Sequence, residues 1–235
     1  MIRFFVPLLV IVLTGVSLHA QQRAQIVGVV QGEDLVERTT TSLQFVFPNF
    51  MDGKVAYKNG RTISGMLNYN ILIGEMQFVD IESQSVFALA DLNNVAMIEI
   101  AGRIFVPSSG KEFYEILYNG RTQLAVRFRG NRLSHGRETP YGNTGPSARS
   151  SDMTAVNVDG YFSTLDAKEN IRVTVNTDYY LIDGKKRRLI TNSKAFLKTF
   201  SKDKAGAIEQ FIRQNSINFN NRSDLILLVD YCNQL

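Results

Sequence analysis

The sequence predicts an α+β fold that is mainly β: an antiparallel β meander, curled or barrel-like, followed by two to three C-terminal α-helices. Three observations carry this. Between residues 43 and 190 apolar side chains recur at every second position in short runs. Asn-Gly, Asp-Gly and Pro/Ser/Gly turns separate those runs. After residue 191 the apolar period becomes that of a helix. The chain therefore divides into a leader at 1–20, a mixed N-terminal segment at 21–42, and an antiparallel β domain at 43–190 with a long loop at 130–160. A helical segment at 191–235, packed on the β domain, completes it.

The leader has the anatomy of a cleavable export signal. Arg3 supplies a positive start, residues 4–18 are apolar almost throughout, and Ala20 ends the segment on a small residue. A bilayer-spanning helix needs about 20 apolar residues, and Pro7 and Gly15 weaken a permanent span. An uncleaved anchor is the alternative. No Cys follows the apolar run, which argues against a lipid-anchored lipoprotein. The expected location is periplasmic or secreted, with association to an outer membrane left open and no transmembrane span in the mature chain.

In the segment 21–42, Ile26–Val30 reads as a short strand and Glu33–Ser42 is polar. Leu43–Phe47 reads as a strand ended by Pro48. Val55 and Tyr57, then Ile63, Gly65, Leu67 and Tyr69, alternate on either side of Asn59-Gly60, which predicts a hairpin with a type I′ turn. Strands follow at 75–79, 85–88, 95–100 and 103–106, and Pro107–Gly110 is a turn. A second hairpin runs from Glu112–Tyr118 through Asn119-Gly120 to Thr122–Arg129. In its return arm Leu124, Val126 and Phe128 share one face, and Gln123, Ala125, Arg127 and Arg129 the other. That pattern is a half-buried strand with a basic outer face. Asn-Gly-Arg-Thr occurs at 59–62 and at 119–122. The flanks do not align, so the repeat reads as a favoured turn used twice and not as a duplication.

Residues 130–160 are rich in Gly, Pro, Ser, Thr and Asn and read as a surface loop of a length that is usually functional or disordered. Strands resume at 171–175 and 178–182, turn at Asp183-Gly184 and end with 187–190. In the tail Asn192 and Ser201 are candidate helix caps, with Ala205, Ile208, Phe211 and Ile212 on one face. A last helix begins near Ser223. Its Leu225, Leu228, Val229 and Cys232 form one buried stripe.

Composition narrows the chemistry. The chain is 44% apolar and 20% charged, as in ordinary globular proteins. Removing Arg3 with the leader takes the basic count from 26 to 25, against 22 acidic residues. That small surplus suits weak attraction to acidic glycans or lipid headgroups and specifies neither. Export argues against a nucleic-acid partner. Cys232 stands alone, so an internal disulfide is impossible, and on an apolar stripe it reads as a buried structural residue. His135 is the one histidine of the mature chain and lies in the Gly/Pro-rich stretch, with nothing to orient it as a catalytic base. One His and one Cys cannot make a zinc site, and no Asp-x-Asp-x-Asp-Gly run predicts calcium. Ser201-x-x-Lys204 is a four-residue match to a penicillin-interacting motif without its companion elements, and Ser201 is explained as a cap. Lys185–Arg188 reads as a solvated hairpin tip. No cofactor, metal or catalytic residue is assigned.

Tyr69-Asn70-Ile71-Leu72 followed by Glu75-Met76-Gln77-Phe78 resembles a segment of an uncharacterised family of exported β-rich proteins common in Bacteroidota. The resemblance continues through Phe113–Tyr118, Tyr179-Tyr180-Leu181, Phe211-Ile212 and the tail from Leu225 to Gln234, so it covers most of 50–235. Cys232 stands where the family pattern leads one to expect Tyr. The resemblance implies a cell-envelope location and carries no activity that transfers.

These readings converge on an exported envelope protein of non-enzymatic binding or structural type, whose partner is an envelope protein, a glycan or a lipid headgroup. Arg127, Arg129, Arg132 and Arg137, beside the loop, are the candidate binding residues. The alternatives are a carboxylate-based hydrolase of glycans, which needs two carboxylates about 5–10 Å apart in a pocket, and an outer-membrane-associated transport component.

Overall fold

A computed structural model describes residues 23–29, 35–108, 111–137, 169–184 and 186–235. The leader and the 138–160 portion of the expected loop lie outside the described residues. Among the described residues eleven antiparallel strands form one sheet, and helices cover part of one face.

Strand β1 (Arg23–Val29) precedes two short helices, α1 (Leu35–Arg38) and α2 (Thr41–Gln44). The meander is β2 (Met51–Tyr57), β3 (Thr62–Asn70), β4 (Glu75–Val79), β5 (Val86–Ala88), β6 (Val95–Ile100), β7 (Arg103–Pro107) and β8 (Phe113–Tyr118). Two long strands, β9 (Gln123–Arg137) and β10 (Glu169–Asp183), and the short β11 (Lys186–Ile190) complete the sheet. The tail folds as α3 (Ser193–Leu197), α4 (Lys202–Gln214) and α5 (Arg222–Gln234). Across the sheet the order is β1-β10-β9-β8-β7-β6-β2-β3-β4-β5, with β11 beside β1 on the same edge of β10. The sheet curls but does not close.

The expected mainly-β architecture with a helical tail is what forms. Three local readings change. Leu43–Phe47 is not a full strand: Leu43 and Gln44 belong to α2, and Phe45 makes one isolated antiparallel bridge with Asn70 at the end of β3, with the Val46 N–H donating to the Tyr69 carbonyl at 3.1 Å and the Ile71 N–H to the Gln44 carbonyl at 2.6 Å. Beyond that bridge the Asn68 side chain takes over the pairing. Its Oδ1 accepts from the Phe47 N–H (3.2 Å), and its Nδ2 donates to the carbonyls of Phe47 and Asn49 (3.0 Å each). Leu43 and Phe47 are buried, so the apolar pattern reported burial and only one bridge of pairing.

The second change is larger. Residues 130–137 are not loop: β9 continues to Arg137, and β10 is one strand where two were expected. Gly130 sits mid-strand opposite Val175, under the β3–β4 turn. A Cβ there would lie 2.8 Å from Leu72 Cδ2 and 2.9 Å from Leu72 Cα. The glycine permits a close backbone approach, and its N–H donates to the Ile71 carbonyl at 3.3 Å.

Third, the type I′ turn lies elsewhere. At Asn59-Gly60 only the glycine has positive φ (+85°). At Asn119-Gly120 neither residue does, and Asn233 of α5 clasps that turn by bonding both the N–H and the carbonyl of Thr122. The two-residue hairpin with both φ positive is Ala101-Gly102 (+47° and +76°), between β6 and β7. An alanine in the left-handed region is strained by about 1 kcal/mol. Ala101→Asn, the residue preferred at this turn position, is expected to raise the thermal midpoint by a few degrees, read by circular dichroism.

The last helix begins at Arg222, beside the expected Ser223, and is capped by Asn221, which accepts from the N–H groups of Ser223 and Asp224. Asn192 caps α3 as anticipated, accepting from the Ala195 N–H at 2.9 Å.

The inner face of the curled sheet carries two large cores. Val55, Leu67, Tyr69, Met76, Ile98, Ile100, Phe105 and Phe113 fill the β2–β8 end together with Leu43 and Phe47. Leu124, Val126, Tyr179 and Leu181 are covered by Phe196, Ile208 and the α5 stripe of Leu225, Leu228, Val229 and Cys232, all essentially inaccessible except Tyr179. The β3–β4 turn folds over β9 and β10, where Leu72 joins Val27, Leu35, Ile171 and Val173. That closes one end of the curl and leaves the β2–β3 turn at the other.

Candidate functional site

Arg127, Arg129, Arg132 and Arg137 all fall on β9, but they do not make one basic patch. Alternation sends Arg127 and Arg129 to the outer face. There Asp178, cross-strand from Arg127 on β10, accepts from both, at 3.2 Å from Arg127 Nη2 and 2.7 Å from Arg129 Nε. Glu112 adds a second bond to Arg127 at 3.0 Å, and the guanidinium lies 5.4 Å from the centre of the Tyr180 ring. Burial pulls the Arg127 guanidinium down, but the bonds to Asp178 and Glu112 outweigh it and hold the group above its ordinary value. Arg132 lies on the inner face and donates to the Leu72 carbonyl at 2.6 Å. Arg137 pairs backbone to backbone with Glu169, and its side chain lies outside the described residues. Arg127, Arg129 and Arg132 serve the fold's own contacts; the sequence missed this because Asp178 and Leu72 are distant in the chain.

The basic run after Asp183-Gly184 is similar. Arg187 lies 5.1 Å from the Tyr114 ring centre and Arg188 donates to the Lys198 carbonyl at 2.6 Å, while Lys185 lies outside the described residues. His135 belongs to β9 and not to a loop; its side chain is outside the described residues. Ser201 occupies the cap position of α4.

Cys232 is buried against the sheet, and burial pushes its thiol from an ordinary 9.0 up to about 12, opposed weakly by Lys204. The folded protein is therefore expected to resist an aromatic disulfide reagent at mildly alkaline pH and to release one thiol on unfolding. The unfolded chain ionises this thiol first, so its contribution to stability is lost progressively as pH rises from 9.0 toward about 12. Fast labelling of the native protein would contradict this.

Glu115 is the charged residue the sequence did not single out. Its side chain is 1% exposed, where the two inner cores meet. Arg103 binds it with two bonds, Nε to Oε1 at 2.8 Å and Nη2 to Oε2 at 2.6 Å. Arg222, at the start of α5, binds it with two more, at 3.2 and 2.6 Å. Arg103 also lies 4.6 Å from the Phe47 ring centre. A carboxylate clasped by two guanidinium groups is a structural tie and not a free acid or base. Asp52 and Glu99 share a shallow hollow on the outer face, both exposed. Among the described residues no group of three or more His, Cys, Asp or Glu gathers to hold a metal.

The concavity with the features of a ligand site is a groove of about 590 Å³ at the open end of the curl. Val55 and Leu67 form its buried floor, with Phe78 and Leu89 on one side and the half-exposed Ile63 toward the mouth. Gly65 lies between Ile63 and Leu67 on the same face, and nothing stands within 4 Å of where its Cβ would be. The groove is therefore wide because β3 has a glycine there. Asn59, Arg61, Asp91 and Asn94 form a polar rim.

That rim is held in place. The Lys58 N–H donates to the Asn94 carbonyl at 2.8 Å, and its ammonium to the Asn93 carbonyl at 2.6 Å, tying the β2–β3 turn to the single 3-10 turn Leu92–Asn94. Asp91 takes a left-handed conformation (φ +56°), and its carboxylate accepts two bonds from the Asn94 amide, at 2.9 and 3.0 Å. A strained aspartate at a pocket mouth, fixed by its neighbour, marks a preorganised edge. Nothing in the sequence announced the groove, because its two sides are joined only by the order β2-β3-β4-β5 and the chain that returns after β5.

No helix among the described residues is long and apolar enough to cross a membrane. Comparison with protein-family models, curated proteins and solved structures finds no match for this chain.

Proposed function

We propose that this is an exported envelope protein of the binding type, which holds an amphiphilic ligand with its apolar body in the β2–β5 groove and its polar end at the rim. The observation that carries the reading is the groove itself: an apolar floor left open to water by Gly65 and framed by a fixed polar rim. The leader-like segment at 1–20 and the resemblance to exported β-rich proteins support the location. The tight internal pairing of Arg127 and Arg129 turns the reading away from the basic strand face as the binding surface.

Native mass spectrometry of protein purified from an envelope fraction tests this. The expected result is a small-molecule adduct that is lost in Gly65→Trp, whose indole fills the groove. An adduct retained unchanged in that variant would overturn the assignment of the site.

A further inference from the structure

β5 ends the sheet as a three-residue strand, and apart from that shortness its outward edge lacks the usual protection of edge strands. It has no Lys, no Pro and no bulge, and residues 83–90 carry no charge. Val86 is 48% and Phe87 49% exposed. The strand is nonetheless firmly held. Asp80 accepts from the Ser83 N–H and hydroxyl at 2.9 and 2.7 Å, and the Phe87 ring packs 6.0 Å from Phe78.

The hydrogen-bond pattern identifies the free groups. Asp80 N–H donates to the Ser85 carbonyl and Leu89 N–H to the Met76 carbonyl, so 80–85 and 76–89 are bonded pairs of the β4–β5 ladder. Between them Phe78 and Phe87 form the third. Val86 and Ala88 therefore direct their N–H and C=O groups away from β4.

We propose that β5 pairs antiparallel with β5 of a second copy of this chain, with the twofold axis at Phe87. This goes beyond the groove and stands independently of it. Two points select a second copy as the occupant. The outward groups of Val86 and Ala88 are complementary to themselves in this register: Val86 of each copy exchanges both bonds with Ala88 of the other, giving four backbone bonds. The charges also fit. Val86–Ala88 and the flanking residues 83–85 and 89–90 carry no charge, so no like charges oppose one another across the axis. On the inner face the row Leu67–Phe78–Phe87 continues across the axis into its counterpart, so each apolar groove gains a neighbour. The contact is small, so the dimer is weak, with Kd about 10⁻⁵ to 10⁻⁴ M.

Sedimentation equilibrium of protein obtained by expressing the full chain, from about 1 to 200 µM, tests this alongside two variants. The expected result for the wild type is a reversible monomer–dimer equilibrium. Ala88→Pro removes an N–H that points away from β4, so it keeps the β4–β5 ladder while weakening the dimer at least about tenfold. Circular dichroism should show the fold of that variant intact. In Phe87→Cys the two thiols fall on a non-bonded antiparallel pair, with Cα atoms about 4.5 Å apart, within disulfide range. Mild oxidation should crosslink that variant, while buried Cys232 stays out of the reaction. A wild type that is monomeric throughout, a folded Ala88→Pro that dimerises as well as wild type, or a folded Phe87→Cys that fails to crosslink would each overturn the proposal.

Discussion

Replacing both Arg103 and Arg222 with methionine is expected to cost about 3–5 kcal/mol of stability, because it strands the Glu115 carboxylate without a partner in a site from which water is excluded. Each arginine alone should cost much less, since the other keeps two bonds to the same carboxylate. Removing Glu115 instead should also be milder: the arginine side chains are 27% and 43% exposed and can turn toward water. Adding Glu115→Leu to the double variant should restore most of the loss, as apolar side chains often replace buried ion networks without penalty. Urea titrations of the set measure all of this. Additive losses from the two single arginine variants would show that the three residues do not act as a unit.

The same substitution at two strand glycines should have opposite signs. Gly130→Val is expected to cost about 3 kcal/mol, since its Cβ would press on Leu72 Cα at 2.9 Å and on the Ile71 carbonyl oxygen at 3.2 Å. Relief requires the β3–β4 turn to lift from β9, which also opens the Leu72 cluster against Ile171 and Val173. At Gly65 an added Cβ meets nothing within 4 Å, so Gly65→Val should stabilise by about 0.5–1 kcal/mol, because a β-branched residue suits a strand better than glycine. Equal effects at the two positions would mean that the close approach over Gly130 does not constrain the fold.

These glycines also show where sequence reading succeeds and fails. The alternation in β2, β3 and β8–β9, and the i, i+3, i+4, i+7 stripe of α5, are local patterns, and the structure has them as read. Gly130 looks like the start of a loop because the residue that requires it, Leu72, is far away in the chain. Leu43–Phe47 looks like a strand because a buried extended segment and a ladder strand share a pattern; here pairing stops after the single Phe45–Asn70 bridge, and the distant Asn68 side chain bonds the backbone of Phe47 instead. Of the candidate arginines, Arg127 and Arg129 read as strand residues and Arg132 and Arg137 as loop residues, whereas all four lie on β9; their charge balance is invisible without the β9–β10 register that sets Asp178 opposite Arg127. Glu115 went unnoticed for the same reason: its partners lie 12 and 107 residues away. The groove is a property of strand order and curl, so no single motif encodes it.

Fluorescence titration of the purified protein with N-phenyl-1-naphthylamine, an apolar probe, tests the groove most directly. The groove predicts saturable enhancement at a single site in the wild type. It also predicts at least about a tenfold weaker affinity in a Gly65→Trp variant whose thermal midpoint is unchanged. Equal affinity in the two proteins, or no saturable binding in the wild type, would contradict a ligand site between β2 and β5.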